Sequence, residues 1–151
     1  MAAPPISLKG RALRLLSGRE YSRAELERKL AAHEETPGAL AHALDELQAK
    51  DFINQQRVVD SVVHRRSPKL GTQRIRQELQ AKGLEPEVIA KAVAQLRTTE
   101  VDRAREVWRK KFGAPAADTT ERGKQMRFLA SRGFGGDAIR KAMGGSNGDE
   151  D

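Results

Sequence analysis

Apolar residues recur along this chain at helical spacing. Val58, Val59, Val62 and Val63 fall at i, i+1, i+4 and i+5, which gathers all four on one face of a helix. Valine favours strands by propensity, but a strand would need strict alternation, so the period decides. Val101, Ala104, Trp108 and Phe112 keep the same helical period, and Leu13, Leu15 and Leu16 are the apolar positions at the corresponding place near the start of the chain. These patterns predict helices over 9–18, 57–66 and 100–112. A second set is predicted over 23–32, 72–82 and 121–132. Its starts carry capping chemistry: Ser22 with Glu25 forms a capping box, Thr72 reads as an N-cap, and Asp118 with Glu121 imitates the box. A third set is predicted over 37–49, 86–97 and 137–143, with Pro37 and Pro86 at the first helical position, where a missing N–H costs nothing. Gly83 and Gly133 end second helices, where glycine closes a helix in the left-handed conformation.

The same elements repeat. Residues 82–93 overlay residues 132–143 at an offset of 50, with Gly, Ile, Lys and Ala identical at matching positions. At an offset of 49, Pro86, Ile89, Ala92, Val93 and Leu96 fall on Pro37, Leu40, Ala43, Leu44 and Leu47. Leu30, Leu79 and Leu129 also align, and Trp108 and Phe112 fall on Val58 and Val62. The expected fold is therefore all-α, a tandem array of three three-helix, helix-turn-helix-like repeats at 7–56, 57–99 and 100–143. The first copy lacks the Lys-Gly or Arg-Gly corner. Residues 113–118 read as a loop, and residues 1–6 and the acidic tail 144–151 as disordered ends.

Charge adds a direction to this array. Residues 1–56 hold 8 Lys/Arg against 8 Asp/Glu, residues 57–99 hold 9 against 4, and residues 100–143 hold 11 against 6. The net charge of +7 thus arises on the last two units, and a segregated basic surface points to a polyanionic partner. The candidate contact residues are Arg65, Arg66, Lys69, Arg74, Arg76 and Lys82 in the second unit, with Arg109, Lys110, Arg122, Lys124, Arg127 and Arg132 in the third. Ile75 and Leu79 mark the buried stripe between them, so Arg74 and Gln77 are expected to face solvent.

Catalytic chemistry is not indicated. His33, His42 and His64 are dispersed, no phosphate-cradling motif exists, and Gly133-Phe134-Gly135-Gly136 joins two helices rather than a strand and a helix. No cofactor or metal is expected. Trp108, Phe112 and Tyr21 read as core or staple residues. The chain has no Cys, which suits a reducing cytoplasm, and it has no apolar run of membrane-spanning length. No dimerisation segment stands out, so a monomer is expected.

Three motifs, in order, resemble the RecX family. They are Arg11-Ala12-Leu13-Arg14-Leu15-Leu16 with Tyr21-Ser22-Arg23-Ala24-Glu25-Leu26, then Gly71-Thr72-Gln73-Arg74-Ile75-Arg76-Gln77-Glu78-Leu79 with Lys82-Gly83, then Arg127-Phe128-Leu129-Ala130-Ser131-Arg132-Gly133-Phe134 leading to Ile139. The resemblance spans about residues 8–143. It implies an elongated, curved array that binds RecA and the RecA–DNA filament and modulates the recombinase, with weak direct binding to DNA and no catalysis. A helix-turn-helix transcriptional regulator is the competing expectation. It is opposed by three consecutive copies and by an acidic start, Glu85 and Glu87, to the helix after Gly83.

Overall fold

The computed structural model describes residues 6–144. Among them it forms nine α-helices, one 3-10 turn and no strand. Helices α1 (Leu8–Gly18), α2 (Arg23–Leu30) and α3 (Ala39–Ala49) pack on one another, as do α4 (Gln55–Arg66), α5 (Thr72–Ala81) and α6 (Pro86–Thr98). Helices α7 (Glu100–Lys111), α8 (Thr119–Ser131) and α9 (Gly136–Met143) make the third group. The expected disordered ends lie outside the described residues, apart from Ile6 and Gly144.

Each group closes over its own core. Leu26, Leu44 and Leu47 are sealed in the first, Ile75 and Leu79 in the second, and Ala104 and Leu129 in the third. A fully buried leucine or isoleucine contributes about 1.5–3 kcal/mol, so three thin cores can hold three small units. In the third unit Trp108 and Phe112 are only half-buried. The Trp108 indole N–H donates to Gln125 Oε1 at 2.8 Å, and the Gln125 amide donates to the Ala114 carbonyl at 3.3 Å, which ties the loop after α7 to α8.

The caps follow the sequence in part. Ser22 and Glu25 form the full capping box, and Asp118 accepts from the Glu121 N–H at 2.8 Å. Gly83 and Gly133 adopt φ of 71° and 94°, as their corners require. Three expectations are corrected. Thr72 is the first residue of α5 rather than its cap; Gly71 holds that place, and the Thr72 hydroxyl instead accepts from Arg103 at 3.1 Å. Helix α3 starts at Ala39, because Gly38 at φ 87° turns the chain after Pro37, and the Glu34 carboxylate accepts from the Leu40 N–H at 2.8 Å. Finally, Trp108 and Phe112 do not occupy the places of Val58 and Val62. Helices α4 and α7 begin at Gln55 and Glu100, well short of a 50-residue offset, which is restored only by a longer loop and a longer α8 (13 residues against 10 in α5).

Both inter-unit joints share one arrangement: the N-terminus of one unit's second helix docks on the C-terminal corner of the next unit's second helix. At the first joint, the Ser22 hydroxyl donates to the Lys82 carbonyl at 2.6 Å and Arg28 to the Ala81 carbonyl at 3.2 Å. A β-carbon on Gly83 would lie 2.7 Å from that of Ala24. At the second joint, the Gly71 N–H donates to the Arg132 carbonyl at 2.8 Å, the Gln73 N–H to the Gly133 carbonyl at 3.2 Å, and Arg74 Nη1 to the Ser131 carbonyl at 2.8 Å. Arg103 of α7 reaches back to the carbonyls of Leu70 (2.6 Å), Ser67 (3.2 Å) and Leu96 (3.1 Å). Burial of its guanidinium pushes the Arg103 pKa down, so the residue serves as a multi-donor clamp rather than a free surface charge.

Candidate interaction surface

The fold divides the sequence-selected cations by what each one meets. Lys82 lies inside the first joint, where its ammonium pairs with Glu25 at 3.2 Å and both side chains are almost covered (13% and 12% exposed). Partial burial would raise the Glu25 carboxyl, but the Ser22 N–H, Arg19 and Lys82 together hold it down at about 2. Arg74 is exposed as expected, yet its stem packs on Gly133 and its guanidinium caps the end of α8, so it belongs to the second joint.

Arg65 and Arg66 end α4, where basic residues complement the helix dipole, and both face Glu78 of α5, at 3.9 and 2.9 Å. Arg109 and Lys110 end α7 in the same way and share Glu106, at 2.6 and 3.8 Å. Arg109 holds the Glu106 carboxyl below its ordinary range.

Like Arg74, the remaining candidates Lys69, Arg76, Arg122, Lys124, Arg127 and Arg132 have no carboxylate partner among the described residues. Arg122, Lys124 and Arg127 are exposed on α8. Arg132 lies over the Phe128 ring at 4.8 Å, Lys111 approaches the same ring at 5.3 Å, and Phe112 meets it edge-on at 5.4 Å. This half-buried ring flanked by two cations adjoins the exposed α8 charges and suits contact with a polyanion. Lys111 and Arg97 were outside the sequence-selected set. Arg97 follows Ala90 and Ala94 at helical spacing on α6, a signal too weak to single it out without knowing what α6 faces.

One concave feature stands near these charges. Between α5 and α6 lies a groove of about 530 Å³, lined by Arg76 and Gln80 on one side and by Pro86, Ala90, Ala94 and Arg97 on the other. Leu84, Ile89 and Val93 form its floor. No cluster of His, Asp or Glu among the described residues has the composition of a metal site, and none of the described helices is long and apolar enough to cross a membrane. His33, His42 and His64 are all exposed, and His42 pairs with Glu46 at 3.0 Å.

Three stacked three-helix units, with the excess positive charge on the last two, define a helical-repeat protein with a basic surface. Comparison with known proteins makes the class specific. Residues 9–47, 54–93 and 98–143 match, in order, the first, second and third three-helix domains of RecX. The chain is 52% identical over 140 residues to the regulatory protein RecX of Leptothrix cholodnii, covering 93% of this chain and 89% of that protein. It is 48% identical over 143 residues to the RecX of Herbaspirillum seropedicae, covering 95% and 93%. The crystal structure of RecX from Lactobacillus salivarius superposes with a TM-score of 0.77 at 20% identity, covering 91% of this chain and 92% of that one, a likeness of fold. The chain belongs to the RecX family of regulatory proteins.

Proposed function

We propose that this chain regulates RecA in DNA repair and the SOS response, by binding RecA and the RecA–DNA filament and lowering strand exchange, ATP hydrolysis and coprotease activity. It acts by occupancy, without catalysis or a cofactor, as a cytoplasmic monomer. The observation that carries this reading is the ordered match of all three units to the RecX domains. The unmatched cations of α8 supply the supporting physics, since a filament presents phosphates and an array presents a long surface to lie against them.

Titration of the purified chain into RecA-promoted strand exchange and ATP hydrolysis tests the reading. Both activities should fall between substoichiometric and stoichiometric levels, and the effect should weaken as salt rises. A recombinase left fully active across that range, together with tight binding of this chain to one DNA operator, would instead establish a helix-turn-helix repressor.

A further inference from the structure

The α5/α6 groove combines an apolar lining with two arginines that have no carboxylate partner among the described residues. Leu84, Ile89 and Val93 of the second unit's core close its floor, and Pro86, Ala90 and Ala94 line it as exposed apolar surface. Arg76 and Arg97 flank it from opposite helices, and neither guanidinium meets a carboxylate among the described residues. Yet on the same α5, Glu78 is matched by Arg65 and Arg66. At about 530 Å³ the space lies within the range that encloses a ligand group rather than a stray water.

A phosphodiester chain fits this groove poorly. It would find two guanidiniums and one amide, and it would leave the exposed apolar lining of Pro86, Ala90 and Ala94 without a partner. A peptide with an apolar side chain between carboxylates satisfies both features: the anchor packs on Pro86, Ala90 and Ala94, and each carboxylate can take a forked pair of hydrogen bonds from an arginine. We infer that the groove docks an acidic segment of the recombinase protein itself, carrying an apolar anchor, and not the DNA of the filament. This inference rests on the proposed regulation of RecA, and it assigns protein contact to α5 and α6 while leaving phosphate contact to the cations of α8.

The test fills the groove in the full-length chain by Ala90→Trp, at an exposed helical position that can accept the ring. Affinity is measured by fluorescence anisotropy for RecA free of DNA and, separately, for a single-stranded oligonucleotide free of RecA. The variant should lose about tenfold or more in affinity for RecA, the loss expected when an anchor pocket closes, and change by under about twofold for the oligonucleotide. Arg97→Glu, at an exposed position, should reproduce the selective loss and serves if the tryptophan variant melts early. Equal losses for RecA and oligonucleotide would give the groove to nucleic acid and overturn the inference. Unchanged RecA binding in both variants would overturn the groove alone. Failure of the unaltered chain to bind RecA would overturn the proposed function, and the groove's partner with it.

Discussion

Replacing Gly71 with alanine probes the joint between the second and third units. The Gly71 backbone has φ of −77°, which alanine adopts freely, so any penalty comes from contact alone. The new β-carbon would lie 2.3 Å from the Gly133 carbonyl carbon and 2.4 Å from both the Gly133 oxygen and the Phe134 nitrogen. All three are main-chain atoms of a corner already at φ 94°, so no side chain can swing aside. Relief requires the two units to part by roughly an ångström, which takes bonds of 2.8, 3.2 and 2.8 Å beyond useful geometry. At about 0.5–1.5 kcal/mol for each of these, the loss should be about 2–4 kcal/mol. For a chain of this size that corresponds to a fall of roughly 4–16 °C in Tm. Gly18→Ala is the control, since nothing lies within 4 Å of its would-be β-carbon at the end of α1. It should leave stability unchanged or raise it by about 0.5–1 kcal/mol. Thermal unfolding followed by circular dichroism, with hydrogen exchange at the Gly71 and Gln73 amides, reads both variants. A Gly71→Ala protein that melts with the wild type and keeps those amides protected would refute the reasoning.

Other expectations follow from the cores and both joints. Leu79→Ala and Leu129→Ala, each fully buried at the same place in neighbouring units, should each cost about 2–5 kcal/mol in urea unfolding. Arg103→Met should cost about 1–3 kcal/mol and release protection of the Leu70 turn, because it strips partners from three carbonyls. The Glu25 carboxyl sits at about 2 in the folded chain, below the unfolded value of about 4.3. Its stabilisation is therefore complete above about pH 4.3 and fades as pH falls through about 2. Glu25→Gln should flatten the dependence of Tm on pH across that window, and parallel curves for the two proteins would show that the pair with Lys82 does not hold the joint.

Local rules in the sequence anticipated the helices, because caps, glycine corners and apolar stripes act within a few residues. Ser22 with Glu25, Gly83, Gly133, Leu79 and Leu129 all behave as their neighbours dictate. The joints were not legible, since they link residues such as Ser22 to Lys82 and Gly71 to Arg132 across whole units, with no periodic trace. That gap also explains the surface. A lysine in sequence carries the same charge whether it meets Glu25 in a covered joint, as Lys82 does, or stands exposed like Lys124. Only packing tells the two apart. The register of α7 failed for a related reason: the extra residues before α8 shift one helix while leaving its corner in step.

The two connections between units differ in length, and the difference is mechanical. Thr99 alone separates α6 from α7, and Arg103 staples the turn from beneath, so the second and third units turn as one stiff elbow. Residues 50–54 join α3 to α4, through Asp51 at φ 66°, with the surface ion pair of Asp51 and Arg57 across the bend. A surface pair of that kind contributes little, so the first unit is held on the second by the Ser22, Arg28 and Glu25 contacts with the corner at Lys82 rather than by its connection. The elbow therefore sets the α5/α6 groove and the α8 cations at a constant spacing, like the fixed jaw of a caliper.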